Sequence, residues 1–333
     1  MMKLTVIGGV IAIGLVVAFG LYLFVLGLSN LNRAVASSHW PRTAGKVVRS
    51  DTREQRDVDK KTRAVSVIYS ADTVIQYEVA GKSYSTNLIH FGQTLGSGDA
   101  SEAELQRLRY PLNGAVPVSY DPSRPWIAAA RPGLHAEAFW LPGAGLAFLL
   151  PAAVALFVFL TVFRAAPRQS DDVIAPVVAG LLAAVFCGLG ILALSSGAQR
   201  LWRGAASEHW PSVQGTVLFS RVNTSETQES DDRRSTTFSP QFVYTYEVDG
   251  VKHFNNRRRF GRIEGSSEDW AEDIATRYKV GKGIRVYYFP ADPDVAVLEP
   301  GNNSEGLWLP GVGLVALLFG LATLIWIVPA VAR

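Results

Sequence analysis

Cysteine is almost missing: Cys187 is the single one in 333 residues. That excludes a disulfide framework and a cysteine-based metal site, and it leaves the compartment open. Neither sign of charge dominates. The formal net charge is +3. Lys+Arg against Asp+Glu gives 13 to 10 over residues 36–133 and 13 to 15 over residues 203–301. Neither region carries the basic footprint of a nucleic-acid binder, so nucleic acid is not an expected partner. No glycine-rich phosphate loop, paired catalytic carboxylates, nucleophile elbow or triad spacing stands out. No cofactor or metal is implied, and no catalytic residue is assigned.

Charge itself is missing from four long stretches. Residues 4–28, 139–163, 173–198 and 307–331 contain no Asp, Glu, Lys, Arg or His. Each reaches the roughly 20 residues that a helix needs to cross a bilayer core, so four membrane spans are expected. Pumps and proton-coupled transporters need ionisable groups near the midplane, and these stretches offer none.

What the chain does have is a repeat. Ser37–Val48 reads SSHWPRTAGKVV, and 170 residues later Ser207–Leu218 reads SEHWPSVQGTVL. The match continues through Tyr77-Glu78-Val79-Ala80-Gly81 and Tyr246-Glu247-Val248-Asp249-Gly250. Phe91-Gly92 faces Phe260-Gly261, and Pro132-Gly133 faces Pro300-Gly301. Trp140-Leu141-Pro142-Gly143 faces Trp308-Leu309-Pro310-Gly311. A duplicated unit of span, soluble region and span follows. Two spans per unit make the repeats parallel and put both soluble regions, 36–133 and 206–301, on one side. The internal partner of the first apolar stretch also favours a retained helix over a cleaved signal. Lys3, Arg164, Arg168 and Arg333 favour cytoplasmic termini and extracytoplasmic soluble regions in a bacterial inner membrane. Trp140, Trp202 and Trp308 have the placement of interfacial anchors. Gly8, Gly14, Gly20, Gly180, Gly188 and Gly190 are candidates for close helix packing.

Within the soluble regions, Ile75, Tyr77 and Val79 alternate with polar residues, as do Tyr244, Tyr246 and Val248. That is the pattern of a half-buried strand. Ala80-Gly81 and Asp249-Gly250 supply hairpin turns. Residues 45–49 and 215–219 read as an earlier strand, and 116–120 and 284–288 as a later one ended by Pro122 or Pro290. One short helix per unit precedes that late strand. Its expected capping boxes are Ser101 with Glu104 and Ser266 with Asp269, and its apolar faces are Leu105/Leu108 and Trp270/Ile274. The polar stretches 51–63 and 223–237 read as mobile loops. The expected fold is an integral membrane α+β protein: four transmembrane helices and two tandem small β-rich domains, sandwich or barrel-like, each with one short helix.

The succession of apolar stretch, His-Trp-Pro, Gly-x-Val, Tyr-Glu-Val-x-Gly, Val-x-Tyr-x-Pro and Pro-Gly before a closing apolar stretch resembles the bacterial domain-of-unknown-function 3592 family, in two tandem copies. The resemblance implies a membrane-anchored β-rich module and no activity.

Two binding candidates remain. His39-Trp40 and His209-Trp210 are paired by the repeat and suit a ligand shared between copies. Two histidines with no visible third ligand fall short of a zinc set. The structural reading, Trp packing where the chain leaves a helix and Pro forces extension, is the stronger one. Arg257, Arg258, Arg259 and Arg262 form the densest basic patch and belong to the second copy alone. They suit an anionic lipid, glycan or acidic partner, or guard an edge strand. The functional expectation is a non-enzymatic envelope membrane protein, a scaffold or accessory subunit binding the bilayer and a protein, lipid or glycan partner. The alternatives are a transport or channel component, and an enzyme acting on lipid or cell-wall material.

Overall fold

The computed structural model describes residues 2–58, 65–93, 96, 98–150, 153, 174–228, 234–261, 267–302 and 304–332. The chain forms two compact units. One is helical and comprises Met1–Ser38, Gly133–Gln199 and Leu307–Arg333; the other comprises His39–Pro132 and Arg200–Gly306 and holds all the strands.

In the strand-bearing unit each repeat folds the same way. The first copy runs β1 (Arg42–Val58), β2 (Val65–Val79), β3 (Lys82–Thr86), α2 (Ala100–Arg109), β4 (Ala115–Asp121) and β5 (Arg124–Ala129). The second runs β6 (Ser212–Gln228), β7 (Arg234–Val248), β8 (Val251–Asn255), α5 (Glu268–Arg277), β9 (Gly283–Phe289) and β10 (Asp292–Val297). The sheets are antiparallel, ordered β3-β2-β1-β4-β5 and β10-β9-β6-β7-β8. The inward members of the alternating pattern build the cores: Val47, Ile75, Tyr77 and Val118 in one, Val217, Tyr244, Tyr246 and Val286 in the other.

The expected hairpin turns are present. Val79 pairs with Lys82 and Val248 with Val251, and the two residues between them have φ of +49° and +76° in one copy, +52° and +78° in the other. Both positive values match the primed turn that suits strand twist. The glycine of Gly-x-Val has a different cause. Gly45 pairs with Tyr77 on one side and Val116 on the other. A Cβ there would lie 2.7 Å from Val118 Cγ2 and 2.8 Å from Ile75 Cγ2. Gly215 meets the same obstruction from Val286 Cγ2 at 2.7 Å. A bulge follows in each copy, between Val47 and Arg49 and between Val217 and Phe219, which bends the first strand so that it serves both halves of its sheet.

Each sheet curls until its ends meet. The N–H of Ala130 donates to Leu88 O (3.3 Å) and that of Arg131 to Ile89 O (2.7 Å). Thr86 Oγ1 donates to Ala128 O at 2.9 Å. In the second copy Leu298 and Glu299 N–H groups donate to Arg258 O at 2.9 and 2.8 Å. The ring order is therefore 1-2-3-5-4-1 with a helix between the third and fourth strands, the connectivity of the partly open five-stranded OB barrel. That resolves sandwich against barrel.

Three sequence expectations need correction. The stretches 51–63 and 223–237 are mostly strand: β1–β2 pairing runs out to Val58↔Val65 and β6–β7 to Gln228↔Arg234. Cross-strand charge pairing supports the first arm, with Arg49 Nη1 3.2 Å from Asp72 Oδ2. The tips, 59–64 and 229–233, lie outside the described residues. The helix caps are Asp99, which accepts from Ser101 N (2.8 Å), and Ser267, which accepts from Trp270 N (3.3 Å); both have extended backbones, as an N-cap requires. Ser266 lies outside the described residues.

The third correction concerns the four spans. The helical unit contains α1 (Met2–Ser37), α3 (Ala136–Leu150), most of α4 (Ile174–Ser207) and α6 (Trp308–Ala332). Among the described residues one stretch, Gly14–Ser37, is long and apolar enough to cross a membrane, with a mean hydropathy of 2.0. Ala136–Leu150 and Trp308–Thr323 are apolar but shorter. The last part of the expected second span, 154–163, lies outside the described residues. The multi-pass topology built on two spans per repeat falls with this count.

Close helix packing uses Gly20 and Gly190 of the expected glycines, and adds Gly145 and Gly197. A Cβ on Gly20 would lie 2.9 Å from Phe148 Cβ, one on Gly145 2.5 Å from Phe24 N, and one on Gly190 2.7 Å from Leu317 N. The Pro-Gly-flanking helices add Gly197 against Pro310 Cδ at 2.6 Å. Gly14 and Gly188 face open space, and the surroundings of Gly8 and Gly180 lie outside the described residues.

Tyr77 ties β2 to β5: its hydroxyl donates to Pro125 O at 2.6 Å, and burial, then the neighbouring Tyr84, push its pKa up to about 12. A raised folded pKa adds stability that is complete below the ordinary value of about 10 and is lost as pH rises toward 12. Tyr77→Phe is expected to cost about 1 kcal/mol at pH 7 and to flatten that alkaline loss. Chemical unfolding at a series of pH values checks both.

Candidate functional site

His39 and His209 each occupy the turn between a helix and the first strand of a barrel, and both are exposed. Trp40 packs edge-on against Phe91 (5.8 Å, 82°), and Trp210 against Phe260 (5.8 Å, 89°). The tryptophan of His-Trp-Pro is thus the partner of the phenylalanine of Phe-Gly. Among the described residues no group of three or more His, Cys, Asp or Glu is placed to hold a metal.

The sequence reading missed a serine two positions before each His. Ser37 Oγ donates to Ala34 O (2.7 Å) and accepts from Gly133 N (2.8 Å). Ser207 Oγ donates to Gly204 O (2.6 Å) and accepts from Gly301 N (3.0 Å). Both serines are fully buried. The signal was available: both copies of the motif begin with this serine.

The arginine run splits. It follows β8 rather than standing on an edge strand. Arg258, 2% exposed, lies 3.5 Å from Glu299 Oε1 and over the Trp270 ring at 5.7 Å. Arg259 reaches Glu299 Oε2 at 2.7 Å. Glu299 also accepts from Tyr278 Oη at 2.9 Å. Two of the arginines therefore share one carboxylate. Arg257 goes elsewhere, over the Phe260 ring at 5.2 Å. Arg262 lies outside the described residues.

The polar chemistry gathers instead where the two barrels meet. Gln241 Oε1 accepts from Ala100 N (3.0 Å), so the second barrel caps the helix of the first. Asn256 Nδ2 donates to Ser101 Oγ and Glu102 Oε1, each at 3.0 Å. Arg109 Nη2 donates to Phe254 O at 2.7 Å. Arg221 Nη2 donates to Tyr69 Oη at 2.7 Å, and Tyr69 is buried with Ala100 and Ala103, with Phe219 packed alongside. Asp294 is the hub of the far end. Its carboxylate meets His253 Nδ1 at 2.9 Å and Arg131 Nη2 at 3.3 Å, while Tyr246 stacks on the His253 ring (5.6 Å, 24°).

Burial alone would raise the Asp294 pKa. The hydrogen bond from His253 and the charges of Arg109, Arg131 and His253 outweigh it and hold the carboxyl below its ordinary range. A depressed folded pKa adds stability present above the unfolded value, near 3.9, and lost as pH falls through the folded one. Asp294→Asn is expected to cost up to about 1 kcal/mol at pH 7, because both partners are partly solvated, and to remove this contribution to acid sensitivity. Unfolding midpoints of the two proteins at pH 7 and pH 3 check it: the gap closes at the lower pH.

Comparison with known proteins agrees with the internal repeat. Domain of unknown function (DUF3592) matches residues 43–135 and 213–303, more than half of the chain, and each match covers one barrel. No curated protein and no solved structure matches. With a barrel in each matched segment, the chain belongs to the DUF3592 family and carries two copies of its domain.

Proposed function

We propose that the chain is a membrane-anchored binding protein of the bacterial envelope without catalytic chemistry of its own. In this reading α1 holds it in the bilayer, and the two joined barrels present a stiff surface to a protein, lipid or glycan partner outside the inner membrane. The observation that carries the reading is the exposure of α1. Only 11% of its most apolar window is buried, and Leu15 (66% exposed), Phe19, Leu21, Tyr22 and Val25 face outward. A core helix of a soluble protein covers such side chains; an uncovered apolar face of this size needs lipid or a partner. Lys3 favours a cytoplasmic start of α1, which leaves the barrels outside. The OB barrel is a binding scaffold that takes oligosaccharides or oligonucleotides on its strand 2–3 face. The near-neutral charge of both copies argues for uncharged or weakly charged partners over nucleic acid. This part is an analogy of fold.

The anchor and the side are tested together. In a Cys187→Ala background, Thr52→Cys places a lone thiol on the exposed face of β1. The full chain is expected to stay in the membrane pellet after alkaline carbonate washing, and intact cells are expected to label with a membrane-impermeant maleimide. Recovery in the soluble fraction sinks the anchor, and labelling only after lysis sinks the outward placement.

A further inference from the structure

The joint between the barrels uses two unlike surfaces. The first barrel offers its helix, α2; the second offers β7, β8 and the residues after them. Each barrel is a copy of one unit, so each carries both kinds of surface. The joint covers the helix side of the first barrel and the strand side of the second. The strand side of the first and the helix side of the second are left over. A contact between unlike surfaces that leaves one of each at its ends can recur with a further copy of the chain.

The joint also shows which residues a recurrence brings together. Arg109 Nη2 donates to Phe254 O. Arg277 is the counterpart of Arg109, at the last position of α5 as Arg109 is of α2. Ser85 is the counterpart of Phe254 and holds the same place in the ladder: Phe254 pairs with Thr245, Ser85 with Gln76. Asn256 Nδ2 donates to Ser101 Oγ at 3.0 Å; the counterparts are Asn87 and Asp269, both exposed. Where the second copy has Asp294 the first has Trp126, 62% exposed. A tryptophan face, like a carboxylate, attracts a guanidinium.

The remaining differences between the copies match in charge. In the joint Phe219 packs beside Ala100 and Ala103. The counterparts of Phe219 and Ala100 are Arg49 and Glu268, one cation and one anion, both exposed. Arg53 stands beside Arg49, and the two share the single carboxylate of Asp72, which leaves positive charge over. On the helix side α5 carries one arginine against four carboxylates, a net charge of −3 over Glu268–Arg277. The joined helix α2 carries two of each sign. The open strand side is thus cationic and aromatic where the open helix side is anionic and ends in an arginine.

We propose that a second copy of the chain docks on the first head to tail. Its α5 lies across the strand side of the first barrel, with Arg277 at Ser85 O and the Trp126 face, and with Glu268 and Asp269 toward Arg49 and Asn87. The contact repeats the internal joint and leaves the same two surfaces at its ends, so copies add until a ring closes or a row grows.

The test uses the full chain in an uncharged maltoside detergent, with assembly read by sedimentation and native mass spectrometry over a range of concentrations. The chain is expected to assemble beyond the monomer. Trp126→Ala disables the strand side and Arg277→Glu the helix side; both side chains are exposed. Each variant is expected to associate at least about tenfold more weakly. An equimolar mixture of the two is expected to stop at pairs, because it retains one intact contact per pair. A wild-type chain that stays monomeric, variants that assemble as it does, or a mixture that stays monomeric overturns the proposal. A second measurement does not depend on those variants. In a Cys187→Ala background, Asn87→Cys with Asp269→Cys occupies the positions of Asn256 and Ser101. Oxidation is expected to give a disulfide-linked ladder of dimers and larger species, and each cysteine alone to leave the monomer. A missing ladder, or dimers from one cysteine alone, overturns the head-to-tail contact.

Discussion

The module depends on one buried hydroxyl per copy. Ser37 and Ser207 each sit at the end of a long helix, give their proton to a carbonyl of its last turn, and take the N–H of the glycine that ends the barrel. A helix end leaves carbonyls unsatisfied, and a returning loop leaves an unpaired N–H; one hydroxyl serves both. The glycines it meets have φ of +103° and +93°, a backbone that other residues adopt with strain. The clip fixes the two ends of each β segment to one place. Closing the sheet into a ring then follows from the bulged first strand, which pairs on both sides at Gly45 or Gly215. The Trp–Phe pairs beside the clip orient the chain as it enters the barrel.

Duplication alone does not make two barrels one body. The joint is asymmetric: α2 of the first copy is capped and clasped by β7, β8 and the bend after them, while its counterpart α5 packs on β6 and β7 of its own barrel. Contacts of this head-to-tail type use different surfaces on the two partners. The residues that make it have diverged accordingly. Gln241 and Asp294 of the second copy stand where the first has Asp72 and Trp126, and Trp126 is left 62% exposed. The interface is polar, with hydrogen bonds to backbone groups and one hub carboxylate, so it specifies an arrangement more than it contributes apolar burial.

The basic run shows how tertiary context reassigns charge. In the sequence four arginines look alike. In the fold, one carboxylate, Glu299, draws two of them inward, and Arg257 lies over the Phe260 ring instead. Glu299 is forty residues further along the chain, and no local pattern connects it to them.

The duplication, the strand alternation, the two-residue turns, the short helix in each copy and the family were legible in the chain alone. All of these are written in short-range spacing, which elementary sterics and the two structural periods translate directly. Apolar length, however, overstated the membrane part: freedom from charge alone does not make a spanning helix, and among the described residues one stretch meets both length and hydropathy. The polar arms read as loops because they lack alternating apolar residues; in the first, charge pairs across β1 and β2 support the ladder instead. The closing of each sheet into a barrel, the serine that clips its ends, the joint of the barrels through α2 and the sharing of Glu299 by two arginines emerged only in the fold. Each of these joins residues about forty or more apart, so it depends on which surfaces fold together and not on what stands beside what in the chain.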